Sequence, residues 1–183
     1  MSMIALPIGA IVLLQDAIIE EKQNGIAEWI LAKPVARPAY VLAKLWPNML
    51  AMAITMLLIP GSIGFIILRI FAPDAIALSG FLSAYGIVAL HLCFYINLSL
   101  MLGVLLKTRG PLLSISLGSL LGGTLVPIAA IVQFTPWKLS ELVVLPVLGS
   151  ALPAIASTML ISSALWSILF IGVALWRIGR IEL

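Results

Sequence analysis

Five stretches of this chain contain no Asp, Glu, Lys or Arg: residues 1–15, 45–68, 75–106, 110–137 and 142–176. A helix crosses the hydrocarbon of a bilayer with roughly 20 apolar residues, so runs of this kind dictate where the chain can sit. Composition agrees: hydrophobic residues make up 63%, charged residues 9%, and mean hydropathy is +1.24, against about 45–50% apolar and about 25% charged in soluble domains. A β-barrel would show segments of about ten residues alternating apolar and polar, whereas these runs are apolar on every face. The expected fold is therefore all-α, a polytopic membrane helix bundle forming a single transmembrane domain over residues 1–183.

One helical span is expected in each run, at about 3–15, 45–68, 81–106, 112–132 and 154–176. The surplus of the third and fifth runs goes to loops, because Pro73, Ser79 and Gly80 precede one helix and Pro146, Gly149 and Pro153 the other. The first span is short, and it needs its neighbours to complete a crossing of about 30 Å. It is not read as a cleavable signal peptide, since no positive region precedes it and no small-residue cleavage site follows. Cytoplasmic loops are enriched in Lys and Arg. With five spans, Lys22, Lys33, Arg37, Lys44, Lys107, Arg109, Arg177 and Arg180 share one side, and only Arg69 and Lys138 the other. Residues 16–44 and the carboxy terminus are thus expected in the cytoplasm.

Seven of the 17 charged residues fall within EEKQNGIAEWILAKPVARPAYVLAK, residues 20–44. Immersing seven charges at about 2.5–3.5 kcal/mol each would cost on the order of 20 kcal/mol, so this stretch lies outside the hydrocarbon. Ile18, Ile19, Ile26, Trp29 and Ile30 recur at helical spacing with Glu20, Glu21, Lys22 and Glu28 elsewhere on the wheel. The pattern predicts an amphipathic helix, bent at Asn24-Gly25 and stopped by Pro34 and Pro38. Two readings fit: an interfacial helix anchored by Trp29 in the headgroups, or a docking surface for a soluble partner. Carboxylates on the polar face lean toward the second, because helices on anionic leaflets are usually rich in Lys and Arg there.

The spacing of Glu21, Gly25, Glu28, Leu31, Pro34, Arg37 and Lys44, in the frame E-x3-G-x2-E-x2-L-x2-P-x2-R-x6-K, resembles the cytoplasmic segment of ABC-2 type transporter permeases. The order of spans around it agrees, with the short basic turn KTRG at residues 107–110 between two of them. Ile26 and Ala36 stand where the family often has Thr and Ser. The resemblance implies a coupling helix between the first and second spans that enters a cleft of a separate ATP-hydrolysing subunit. By that resemblance Glu20, Glu21, Gly25, Glu28, Trp29, Leu31, Pro34 and Arg37 are the coupling residues: carboxylates for polar contacts, Gly25 for the bend, Trp29 and Leu31 for packing, Pro34 and Arg37 for the turn. A second permease chain, identical or related, and membrane lipids are the other partners implied, in the plasma or bacterial inner membrane. ATP and Mg would sit on the partner subunit, with no cofactor in this chain, no catalytic role for it and no nucleic acid. Such permeases usually have six spans, and this chain begins near the second. An upstream segment, a helix from another chain, or a shortened relative acting as a non-transporting subunit of a larger membrane complex each account for that, the last being disfavoured because the coupling segment is intact.

Other signals are sparser. No G-x4-G-K-[ST] phosphate loop occurs. Cys93 is the only cysteine, so no internal disulfide forms. His91, the only histidine, reads as a neutral, hydrogen-bonded residue between helices before a proton or ligand site, and alone it builds no metal centre. Ser114, Gly118 and Gly122 recur every four residues and suggest close helix packing, within the chain before between chains. Pro60 and Gly61 suggest a kink. TPWKLSELVVL, residues 135–145, reads as a short interfacial helix with Trp137 at the membrane edge and a Lys138/Glu141 pair. The apolar walls suit an apolar or amphipathic substrate.

Overall fold

The computed structural model describes residues 4–33, 36–71, 77–123, 125 and 132–180, and among these the chain is helical with no strand. The helices are α1 (Ala5–Leu14), α2 (Asp16–Gln23), α3 (Ile26–Leu31), α4 (Arg37–Met52), α5 (Ile59–Phe71), α6 (Leu78–Leu105), α7 (Arg109–Gly123), α8 (Leu139–Leu142), α9 (Val144–Val147) and α10 (Ala154–Gly179). Three continuous helices among the described residues are long and apolar enough to cross a membrane: Arg37–Phe71, Leu78–Leu105 and Ala154–Gly179. The all-α membrane bundle expected from the uncharged runs is what the chain forms.

At the centre stands α6, with α1, α7 and α10 packed against it and α2, α8 and α9 at its two ends. Apolar residues occur on every side of its 28 residues, and a helix of that kind is stable when both faces are covered. Leu92, Ile96, Leu100 and Val104 recur at four-residue spacing and meet Ala10, Val41, Leu45, Ala174 and Ile178. From the other face Tyr95, Leu98 and Leu102 meet Ile11, Leu112 and Leu120, and Phe94 packs edge-on to Phe170 at 5.2 Å between centroids.

The second expected span begins earlier than its apolar run, at Arg37. Pro38 in the first helical turn suits a helix start, where the missing N–H is no loss, and Ala36 before it is extended. Toward its middle this helix widens into a π-helical stretch, Ala53–Leu58. Pro60 explains the site: it has no N–H for the Met56 carbonyl and its ring crowds that turn. The first expected span appears as the ten residues of α1, about 15 Å long, running on through Gln15 into α2. Of the fourth, α7 forms as far as Gly123; residues 124 and 126–131 lie outside the described residues.

Residues 132–138 differ most from expectation. Val132 and Pro136 are buried in the bundle, and Trp137 is half-buried there. The Trp137 indole N–H donates to Ser119 Oγ at 3.3 Å, ten residues into α7. The Phe134 carbonyl accepts from the Trp166 indole at 3.0 Å, twelve residues into α10, and Pro136 is fully buried. At 1.5 Å per residue, Ser119 lies about 15 Å from the start of α7 and Trp166 about 18 Å from the start of α10. Gly123 makes this possible, since a Cβ there would stand 2.2 Å from the Trp137 ring. Only beyond this point does the chain turn outward, through α8 and α9, with Lys138 and Glu141 paired at 3.6 Å as the sequence suggested. His91 is also buried, 4% exposed, its ring 5.2 Å from that of Tyr95.

Candidate functional site

Helices α2 and α3 form a bent amphipathic unit across one end of the bundle. Gly25 makes the bend. The last turn of α2 closes with the Asn24 N–H on the Glu20 carbonyl at 3.0 Å, and Gly25 follows with φ at 71°. That left-handed conformation is the usual glycine exit from a helix, and α3 starts directly after it.

The inner face of the unit is tied to three different helices. Ile18 and Ile19 are fully buried, and Ala27 and Leu31 join the core. Asp16 forms an ion pair with Arg109 at the start of α7, at 2.5 Å. Glu21 accepts a hydrogen bond from the Tyr40 hydroxyl at 2.8 Å and pairs with Lys44, both on α4. Lys22 reaches the end of α6, where its ammonium donates to the carbonyls of Gly103 at 2.7 Å, Leu106 at 3.2 Å, and Val104. Gln23 Nε2 donates to the Lys107 carbonyl at 3.1 Å.

The Lys22 contacts have a clear physical basis. The last four carbonyls of a helix have no partner within it and carry the negative end of its dipole. An ammonium offers three donors and a positive charge. Burial opposes the charge, and the nearby Arg177 and Lys107 repel it, so the ammonium is pushed from 10.5 down to about 8.

The outer face presents Glu20, Asn24, Ile26, Glu28 and Trp29 to the surroundings, with Trp29 64% exposed and the Lys33 ammonium 3.4 Å from the centroid of its ring. Beside them a groove of about 480 Å³ opens between α2 and α4, lined by Leu13, Ile26, Asp16, Glu20, Glu21 and Lys44.

Of the residues singled out in the sequence, Glu20, Glu28 and Trp29 are together on the outer face, and Gly25 occupies the bend. Glu21 and Leu31 point inward, one to α4 and one to the core. Arg37 donates to the Gly179 carbonyl at 3.3 Å, joining the start of α4 to the end of α10. Pro34 lies outside the described residues. Ser114, Gly118 and Gly122 are on the exposed side of α7, and among the described residues nothing beyond the helix's own backbone and chain neighbours lies within 4 Å of where a Cβ at either glycine would be. Lys22, Gln23, Asp16, Arg109 and Tyr40 were not singled out. Lys22 carried a readable signal: it follows buried Ile18 by one helical turn and so shares its face. Among the described residues no three His, Cys, Asp or Glu side chains gather as a metal site.

The family model described as ABC-2 family transporter protein matches residues 1–183. The chain matches no curated protein and no solved structure.

Proposed function

This chain belongs to the ABC-2 transporter family, and on that premise we propose that it is a transmembrane permease subunit moved by ATP hydrolysed on a separate protein, with residues 20–37 as its coupling element. One observation carries the reading. The segment is two-faced, bound on its inner side to the ends of α4, α6 and α7 while Glu20, Glu28 and Trp29 face outward. Contacts made on the outer side are therefore rigidly joined to the membrane helices.

In this mechanism the ATPase subunit receives Trp29 as an apolar anchor and the two exposed glutamates as polar contacts, while Gly25 sets the angle between α2 and α3. Closure of the nucleotide-loaded ATPase displaces the unit and with it the ends of the spans. ATP and Mg remain on the partner, and this chain performs no hydrolysis. A second permease chain completes the pathway. In support of that, the described residues of α5 include no buried side chain, and Ile63, Ile66, Ile67 and Ile70 are exposed along it; a further chain and lipid share that surface. The substrate is apolar or amphipathic. Residues 16–44 and the carboxy terminus face the cytoplasm of a bacterial inner membrane.

The test is gentle purification from the native membrane with identification of what comes along, for the natural chain and for Glu28→Lys. An ABC-type ATPase should accompany the natural chain. Since like charges brought together at an interface cost several kcal/mol, the variant should lose roughly tenfold or more of that association while staying in the membrane. Recovery of an unrelated membrane complex without any ATPase would show a structural subunit instead.

A further inference from the structure

We infer that Lys22 is the positioning residue that fastens the coupling segment to the central helix, so that a displacement of α2 carries α6 with it instead of sliding past its end. The inference rests on the coupling role proposed above and names the joint through which it works.

Three observations converge on that joint. First, the Lys22 ammonium engages three carbonyls at once, those of Gly103, Val104 and Leu106, which is every N–H it has to donate. Second, α2 packs directly on α6 at this point: a Cβ at Gly103 would stand in van der Waals contact with Ile18, 3.5 Å from its Cβ, so the two helices already touch where the ammonium reaches over. Third, α6 is the helix that α1, α7 and α10 all pack against. A force delivered to its end is thus shared by the whole bundle. The neighbouring bond from Gln23 to the Lys107 carbonyl lies beyond the end of α6, in the turn to α7, and Glu21 holds α4. Of the three consecutive residues, Lys22 alone grips α6 itself.

The test uses the permease with its co-purified ATPase in lipid nanodiscs, with Cys93→Ser and spin labels at Asn24→Cys and Thr108→Cys, both exposed positions. Pulsed electron resonance reads the distance between them with and without a non-hydrolysable ATP analogue. With Lys22 present, one narrow distance is expected that nucleotide does not change, because the two sites move together. Lys22→Met should broaden the distribution, and nucleotide should then shift it by up to about 5 Å, one helical turn. Lys22→Arg, which keeps charged donors, should restore the narrow peak. A Lys22→Met distribution that stays narrow and unmoved overturns the proposal. So does a Lys22→Arg distribution as broad as that of Lys22→Met, since side-chain size and not the donated bonds would then set the distance. Should no ATPase accompany the chain, the coupling role falls separately, and the nucleotide-free distances of the isolated chain with and without Lys22→Met still decide the joint.

Discussion

Two helices of this chain are almost equally apolar and have opposite surroundings. The most apolar 18 residues of the helix Arg37–Phe71 have a mean hydropathy of 2.2 and are 11% buried; those of Leu78–Leu105 have 2.0 and are 72% buried. Hydropathy therefore states that both tolerate hydrocarbon, and leaves open whether lipid or protein provides it. The polar residues discriminate. Mid-helix, α6 carries His91, Tyr95, Asn97 and Ser99, all buried. The outer helix has Thr55 near its middle, and that hydroxyl donates to its own helix at Ala51, 2.7 Å away. A polar group that needs no neighbour can face lipid, whereas a cluster that does need one marks a helix enclosed by others.

The largest contrast should come from truncating one apolar side chain on each helix. Leu100→Ala, at a site 2% exposed, should destabilise the protein by about 2–5 kcal/mol, as core cavities do. Ile66→Ala, at a site 56% exposed, should change stability by no more than about 0.5 kcal/mol. Reversible unfolding in mixed micelles measures both, and equal losses would show that the outer face is packed against protein in the purified state.

A smaller effect is expected where the two helices touch. Gly61 admits the Tyr85 ring so closely that a Cβ would stand 2.3 Å from it. The clashing atoms lie at the far end of a side chain able to swing, so Gly61→Ala should cost only about 1 kcal/mol, the low end for overpacking. Adding Tyr85→Ala should cancel that cost; if the double variant is no better than the sum of the two, the contact is not where the helices meet.

The smallest effect belongs to the end of the bundle where α2 meets α6. Lys22 loses its proton near pH 8 when folded and near 10.5 when unfolded, so between those values the unfolded chain holds more protons. Stability contributed by this group therefore rises with pH across that window, discounted because the side chain is partly solvated. Comparing unfolding at pH 8 and pH 10 for the natural chain and Lys22→Met should show the upward slope only in the former.

Much of this architecture could be read along the chain. The uncharged runs marked all three long helices, and Asn24-Gly25 marked the bend, because both depend on residues adjacent in sequence. The face that Lys22 shares with Ile18 was legible, but the partners of Glu21 and Lys22 were not, since Tyr40, Lys44 and Gly103 come from distant parts of the chain. Trp137 shows the same limit. A tryptophan beside Pro136 and Lys138 looks like a membrane-edge anchor until Ser119 supplies a half-buried acceptor and Gly123 a gap for its ring. Ser114, Gly118 and Gly122 show the converse: a small-residue pattern that is visible in sequence lies on an exposed side of α7, and among the described residues no other helix comes within 4 Å of a Cβ at either glycine.

The π-helical stretch Ala53–Leu58 acts as a phase slip in an otherwise regular screw. Each residue of an α-helix advances the azimuth by about 100°, so one extra residue in a turn rotates everything beyond it by that amount relative to what comes before. The side of α4 that holds Tyr40, Val41 and Leu45 in the core does not continue in line up α5. Were the slip to migrate by one turn along the helix, the residues it passed would swing by the same angle while both ends stayed in place, which makes this segment a local rotary bearing within a helix whose length hardly changes.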